Sequence, residues 1–567
     1  MDSTQWIIFI LVVQLIHFLG TWKLYLKAGR KPWEAAIPVY NAIVLMQIIR
    51  RPKWWVILLF IPIINLLMFP VIWVETIRSF GRNSLAETWL VILTLGFYIY
   101  YVNYALDVKY IEDRSLHPRS GLGEWVSSIV FAIVAATLVH TYFMQPYVIP
   151  TGSLERTLRI GDLLFVSKFH YGARTPMTTV AAPMVHDTLP LLGIRSYLKK
   201  PQLPYFRLPG FEQIEKNDIV VFSWPADTVR VFFKKEKGVK KPIDKKSNYV
   251  KRCVGVPGDS VEVRDGYVFV NGERLVLSDR AKVQYDYNIY AQKGVSSRLL
   301  ASLGIDEFIR KYIATTLNQA QADALTGYAQ GYNRNSKGEI EIYTKSSGIP
   351  INVLRQARLS LTEEKSRQRE ATLTDEMVQK LRNHSDIDSV VKIIEPRGQR
   401  GYNIFPQDSR YSWNNDNMGP IYIPGEGDQV PLNLETLPLY KKIIKDYEGK
   451  KISISGNQIR IDGQLAKTYT FEQDYFWMMG DNRDHSEDSR TWGYVPANHI
   501  VGKPVFIWMS FDNFNDGLAN WRPRWDRIFT TVGGDGEPRS YFKHFLILLA
   551  AYFVFDFFWK RRKKAKK

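Results

Sequence analysis

Five apolar runs bound what this chain can fold into, because roughly 17–25 apolar residues are enough to cross the hydrocarbon layer of a bilayer as a helix. They occupy residues 6–22, 54–77, 89–106, 125–143 and 542–559. Four lie before residue 145 and one closes the chain, while the mean hydropathy of −0.19 shows that most of the polypeptide is polar. The pattern predicts a multi-pass membrane protein. Residues 1–145 read as an N-terminal membrane region with about four transmembrane helices, and 540–567 as a C-terminal transmembrane helix with a basic cytoplasmic tail. A further run at 35–49 is short and carries Pro38 and Asn41, so it reads as an interfacial or re-entrant helix. No small-x-small cleavage site follows the first run, which predicts that it is retained.

Charge orients the segments. Lys and Arg number 75 against 56 Asp and Glu, a net +19, and much of this excess borders apolar runs, at 23–31, 50–53 and 560–567. That placement follows the positive-inside rule rather than the footprint of a nucleic-acid binder, and no nucleic-acid partner is expected. It puts the N-terminus outside, the 23–53 loop inside, the chain after Phe143 outside and the C-terminus inside. Asp556, one turn from the basic tail, reads as an interfacial residue. Cys253 is the single cysteine, which forbids an intrachain disulfide and reads as a small buried residue. The nine His residues show no metal-ligand spacing, and neither a metal nor a cofactor is expected.

The stretch between the membrane runs is β-rich. Short runs at 163–166, 219–222 and 260–263 are bounded by Gly, Pro and Asp, and 267–270 is followed by Asn271-Gly272, a strong signal for a tight hairpin. A second hairpin is expected over 452–461, turning at Gly456-Asn457. Residues 146–274 therefore read as the first part of a mainly β domain and 401–539 as its second part. Between them, 275–400 differs in composition. Ile305, Ile309, Ile313 and Leu317 recur every four residues, the spacing of one helix face, and 374–381 opens like a helix with Asp375-Glu376. This predicts an inserted, partly helical subdomain.

Three stretches carry chemistry. Tyr147 to Gly172, directly after the fourth apolar run, holds Thr151-Gly152-Ser153 on a turn. Tyr249-Val250-Lys251-Arg252 leads into Gly255-Val256-Pro257-Gly258-Asp259, and Gly480-Asp481-Asn482-Arg483-Asp484 leads to Ser489-Arg490. A serine hydroxyl attacks only when a base accepts its proton, and a lysine serves only as the neutral amine. Its ordinary pKa near 10.4 must fall by several units, which desolvation supplies. Tyr249, Val250, Cys253 and Val254 give Lys251 such a setting. A lone Ser or Lys would be a surface or packing residue; the ordered combination beside a membrane suggests a protease.

These stretches resemble the signature boxes of bacterial type I signal peptidases, membrane-bound Ser/Lys enzymes that remove signal peptides from exported proteins. The first box, roughly I-P-S-G-S-M-x-P-T-L-x-x-G-D in that family, stands here as Ile149-Pro150-Thr151-Gly152-Ser153-Leu154, Thr157-Leu158 and Gly161-Asp162. The last, G-D-N-R-D-N-S-x-D-S-R-x-W-G, runs from Gly480 to Gly493 with only His485 departing. The resemblance implies a signal-peptidase-like β fold in which Ser153 attacks and Lys251 is the general base. The Thr151 hydroxyl and the Ser153 N–H would form the oxyanion hole, and Ser486 would orient the amine. Asp488 and Arg490 would pair and hold Ser486, with Asp481 locking the same turn. Ile149, Pro150, Leu154, Leu158, Tyr249 and Val250 would line pockets for small residues before the cut.

The implied partners are the signal peptides of exported preproteins, membrane lipid and the protein-export machinery, with no cofactor. The implied location is the bacterial cytoplasmic membrane, with the catalytic domain on the periplasmic side. Apolar residues at 477–479 and 508–514 are expected to touch lipid. A membrane-tethered, non-catalytic peptide-binding or assembly factor of the same fold is the rival reading, which the retained Ser153, Lys251 and Ser486 oppose. A self-cleaving Ser/Lys repressor is opposed by the membrane runs and by the lack of a DNA-reading helix pair.

Overall fold

The computed structural model describes residues 3–117, 121–227 and 238–565; Lys566 and Lys567 of the basic tail lie outside the described residues. Among these, three helices are long and apolar enough to cross a membrane: Thr4–Lys27, Gly121–Phe143 and Phe542–Arg562. The first lies within α1 (Ser3–Lys27) and the second is α7 (Gly121–Leu138) with the wider turn that continues it to Phe143. In the last, Asp556 pairs with Lys560 one turn on, at 2.7 Å.

At two of the four N-terminal apolar runs the structure departs from one continuous helix. Residues 54–77 do not form one helix. They fold as α3 (Trp55–Leu58) and α4 (Ile64–Ser79), separated by Pro62 and by Ile63 at φ 71°. The two ends of this segment approach one another, since Arg51 reaches Glu75 at 2.9 Å. Residues 89–106 likewise form α5 (Leu85–Leu93) and α6 (Tyr98–Tyr104), bent by 117° at Gly96. The hydropathy count sees apolar length and is blind to direction. In the 35–49 run, α2 (Tyr40–Ile48) is entered through Val39 at φ 67°.

Residues 37–41 and 61–65 read Ile-Pro-Val-Tyr-Asn and Ile-Pro-Ile-Ile-Asn. In both, the Asn N–H donates to the Ile carbonyl four residues back, at 2.9 and 3.0 Å, and the residue after proline takes a positive φ that β-branched side chains rarely adopt. Two hairpin tips are thus built from one five-residue pattern, an internal repeat that the sequence reading did not detect. Leu24, Met46, Ile72, Ile77, Val91 and Val102 share one core beneath them, and Glu75 there also accepts from Arg114 at 2.6 Å.

The β domain is organised on a nine-stranded sheet. Its path runs from β1 (Met144–Val148) to β2 (Asp162–Ser167), the long strand Ile500–Asp512, β3 (Ile219–Ser223), β4 (Asn248–Gly255), Tyr475–Met479 and Val495–Pro496. The β-branched and aromatic runs on both faces bury Val166, Val221, Ile507 and Leu158 in one core, and Phe222, Cys253, Met478 and Trp492 in another. Tyr267–Val270 forms the expected hairpin, with Asn271 at φ 54° and Gly272 at φ 87°. Ile452–Ser455 and Gln458–Ile461 form the second one.

The insertion is more β than its spacing suggested. Ile313 lies in the strand Arg310–Ala314, which pairs with Ile340–Thr344 and Thr362–Glu363, so the helix expected over Ile305, Ile309, Ile313 and Leu317 is absent. Phe308, Tyr312 and Ala314 carry the buried face at even spacing, whereas Ile309 is exposed. A period of two therefore decides, and the four-residue recurrence is coincidental. The helix Asp375–Arg382 forms as expected, its Thr374 hydroxyl accepting from the Met377 N–H at 3.4 Å.

Candidate active site

Three chain segments meet at Gly480. The Thr151–Thr157 turn leaves β1, which pairs with β2 through Tyr147 opposite Leu164 and Val148 opposite Leu163. The turn is knitted by Glu155 N–H to Gly152 O at 3.0 Å and by Leu158 N–H to Leu154 O at 2.7 Å. From the other side, the strand Tyr475–Met479 delivers Gly480–Asn482 over this turn. Asn482 N–H donates to Ser153 O at 3.1 Å and Asn482 Nδ2 to Gly152 O at 3.2 Å. A Cβ on Gly480 would stand 2.2 Å from Ser486 Oγ and 2.5 Å from Ser153 O, so only glycine permits this crossing.

Asp481 and Asp488 anchor the crossing through buried ion pairs. Arg252, next to Lys251 on β4, donates to Asp481 with Nε at 2.7 Å and Nη2 at 2.6 Å, and the Thr157 hydroxyl adds a bond at 2.7 Å. Burial pushes the Asp481 carboxyl up, but the Arg252 charge and these hydrogen bonds hold it below the usual carboxylate range. Asp488 accepts from Gly480 N–H at 3.1 Å and from Arg490 Nε and Nη2 at 2.9 Å each. It is likewise held low by Arg490 against the effect of burial. These two-pronged pairs fix where the turn can sit.

Lys251 is 3% exposed and Ser153 9%. Burial lowers the Lys251 ammonium to about 8, with Asp488 opposing that shift and Arg490 assisting it. Among the described residues its Nζ has no hydrogen bond or ion pair, and it lies over the Tyr249 ring, 5.7 Å to the centroid. The Ser486 hydroxyl is also buried without a partner among the described residues, and a buried unpaired hydroxyl marks a place where something else binds or reacts. Thr151 is exposed at the tip of the turn. Ser153, Lys251 and Ser486 thus all border the Gly480–Arg490 segment, within reach of its charges.

The expected pocket residues divide. Ile149, Leu154 and Leu158 are 3%, 1% and 1% exposed in a core cluster, with Val250 packed on it, so they shape a surface from beneath. Pro150 is exposed, and Tyr249 stacks on Trp224 with ring centroids 4.9 Å apart. The lipid contact expected at 477–479 is corrected: Trp477, Met478 and Met479 are fully buried, because Trp477 and Met479 enter one core cluster and Met478 another, one on each face of the strand. Trp508 is half-buried and stacks on Phe165. The Cys253 thiol is fully buried and burial pushes its pKa up, as a packing residue requires. His485 turns to Asp286 at 3.2 Å and to Thr372.

Residues the sequence reading passed over also build the site. Arg252, Asn482 and Thr157 were all within the quoted boxes; a buried aspartate demands a fixed cation, which was the available signal. Gln284, from the insertion, lies across the turn: its N–H donates to Asp481 O at 2.8 Å and its carbonyl accepts from Arg483 N–H at 3.0 Å. Asp286 N–H donates to Asp484 at 2.8 Å. The insertion therefore splints the outer side of the Gly480 turn, and no local sequence signal announces that.

Two strand edges beside these groups are unpaired among the described residues. β1 is the outermost strand of its sheet. On β4, pairing with Tyr475–Met479 begins only at Arg252, so Asn248–Lys251 have no strand on that side among the described residues. Asn248 Nδ2 donates to the Tyr147 hydroxyl at 3.3 Å, bringing the two open edges together.

Comparison with known proteins agrees with this geometry. The family model described as signal peptidase, peptidase S26, matches residues 122–316 and 422–509. A family of unknown function (DUF5684) matches residues 33–113, the helical unit with the paired hairpins. Signal peptidase I of Haemophilus influenzae is 24% identical over 74% of this chain and 79% of its own length. That of Buchnera aphidicola from Acyrthosiphon pisum is 23% identical over 72% and 85%. That of Helicobacter pylori is 37% identical over a shorter stretch, 15% of this chain and 33% of its own. The chain belongs to the signal peptidase family, peptidase S26.

Proposed function

We propose that this signal-peptide-removing serine endopeptidase works through Ser153 as nucleophile and Lys251 as general base. Ser153 Oγ attacks the scissile carbonyl carbon while its proton passes to the neutral Lys251 amine. The oxyanion accepts from the Ser153 N–H and the Thr151 hydroxyl, and the Lys251 ammonium returns the proton to the leaving amine. Water then hydrolyses the acyl-enzyme with Lys251 again as base. Ser486 orients the amine, and Asp481, Asp488 and Arg490 hold the turn that carries it. The observation that supports this reading best is a desolvated lysine with no ion pair among the described residues, bordering the same turn as Ser153. The signal peptide enters the gap between β1 and β4 as an added strand. Pro150, Tyr249 and Val250, backed by Ile149, Leu154 and Leu158, select small residues at the first and third positions before the cut.

The test is cleavage of a preprotein with an Ala-x-Ala site by the purified full chain. Wild type cuts after the second Ala, while folded Ser153→Ala and Lys251→Ala lose at least about 10³-fold in rate. Cleavage that survives in Ser153→Ala sinks the assignment, and tight binding without cleavage by wild type favours the peptide-binding factor.

The charge pattern supports an outer, periplasmic position for the β domain in the bacterial cytoplasmic membrane, and that of the N-terminus, with the 23–53 loop and the C-terminus inside. This orientation needs only α1, α7 and the C-terminal helix as spans, since two returning hairpins leave the parity unchanged. Membrane lipid and the export machinery are then its neighbours. Cysteines introduced in the 23–53 loop are expected to resist impermeant thiol reagents in intact cells, and labelling from outside reverses the topology.

A further inference from the structure

A second group of buried cations lies away from Ser153. Where α7 ends and β1 begins, a cavity of about 150 Å³ opens between the tip of the α3–α4 hairpin, the end of β2 and the loop that follows it. It has room for several water molecules, and so for a phosphate group. Ile63, at one of the positive-φ tips, forms the membrane side of its wall, and Met184 and Val185 flank it. Its floor is cationic: Lys168, Arg174 and Lys245 line it together with His140 and His186.

The negative charge at hand does not balance these groups. The single carboxylate in the lining, Asp244, already accepts from the Thr178 N–H at 2.8 Å and the Thr178 hydroxyl at 2.7 Å. Arg174 donates to neutral acceptors, Asn498 O at 2.9 Å and Ser223 Oγ at 3.3 Å. Lys245 Nζ donates to Val185 O at 3.4 Å and lies over the Tyr197 ring, 5.4 Å to its centroid, and His186 Nε2 lies 2.8 Å from Lys246 O. Lys168 Nζ and the His140 ring have no hydrogen bond or ion pair among the described residues. Burial, and then the Arg174 charge, lower Lys168 to about 7. Cations that line one cavity with a single carboxylate among them constitute a receptor for an anion.

We propose that this cavity binds a phosphate-type anion, and that its occupant in the membrane is the headgroup phosphate of a phospholipid whose chains lie along α7. The position selects that source. The cavity sits at the end of an apolar helix whose Trp125, Val126, Ile129, Phe131, Val139 and Phe143 are exposed, at the level where headgroups begin if α7 crosses the bilayer. The helical unit of residues 33–113 contributes Ile63 to the wall, so occupancy ties that unit to the β domain.

The test uses the full chain in detergent, with retained lipid counted by native mass spectrometry. The probes are phosphatidylglycerol, diacylglycerol, which lacks the phosphate, and inorganic phosphate as competitor. Wild type is expected to hold phosphatidylglycerol about tenfold more tightly than Lys168→Gln does, with Lys168→Arg restoring retention and diacylglycerol showing no difference. If inorganic phosphate binds in a Lys168-dependent way and the lipid does not, the lipid assignment is overturned and a free anion replaces it. If neither probe distinguishes wild type from Lys168→Gln, the site itself is overturned. Preprotein cleavage by Lys168→Gln in detergent, expected at the wild-type rate, shows that the variant is folded and keeps this result separate from the Ser153 and Lys251 assignment.

Discussion

Lys251 and Lys168 stand on the same sheet, one within β4 and the other just past β2, and burial depresses both, to about 8 and about 7. Their surroundings differ. Lys251 faces a turn in which Asp488, Glu487 and Asp481 oppose the loss of its charge and Arg490 aids it, whereas the charge acting on Lys168 is that of another cation, Arg174. Desolvation alone makes an ammonium costly, and the neighbours decide its use. A balanced set of fixed charges poises an amine close to neutrality, where it can take a proton and give it back. An unbalanced set awaits a counter-ion from outside.

The comparison breaks most visibly at Asp488. Asp488→Ala leaves Arg490 buried and unpaired, at an expected cost of about 3–5 kcal/mol, read as a fall in the denaturant midpoint. Lys168→Gln, which removes an unpaired buried cation, should leave the midpoint unchanged or raise it. A loss well under about 1 kcal/mol in Asp488→Ala shows that the Gly480 turn is held by its backbone bonds instead.

The pH profile sharpens the contrast with a smaller effect. The base form of Lys251 is the neutral amine, whose fraction grows as pH rises towards its folded pKa. Thus kcat/KM should climb about tenfold per pH unit below about pH 8 and level off above it. Lys168→Gln should not move that inflection. If Ser486 orients the amine as proposed, Ser486→Ala should lower the plateau by about tenfold and shift the inflection. A profile that is flat from about pH 6 to about pH 9 removes Lys251 from the role of base.

What was legible in the sequence follows the range of each interaction. The Ser153 and Gly480 segments are short and their glycines and ion-pairing residues are local requirements, so they are readable as boxes, and the hairpin at Asn271-Gly272 is set by two residues. The break in Trp54 to Ile77 was missed because the run has the apolar length of a span, and only Pro62 and the conformation of Ile63 interrupt its helix. The strand around Tyr312 was misread because four isoleucine and leucine positions mimicked a helix face. Lys168, Arg174 and Lys245 come together only through the fold, as does the contact of Gln284 with the Gly480 turn. No spacing in the sequence relates them.

The strand Ile500–Asp512 lies between β2 and β3, joining the half of the sheet that carries Ser153 to the half that carries Lys251. It is also among the last parts of the β domain to be synthesised. Until the ribosome has passed residue 512, Ser153 and Lys251 belong to two sheet fragments with no strand between them. The sheet that carries both residues is therefore completed late in synthesis, by its longest strand.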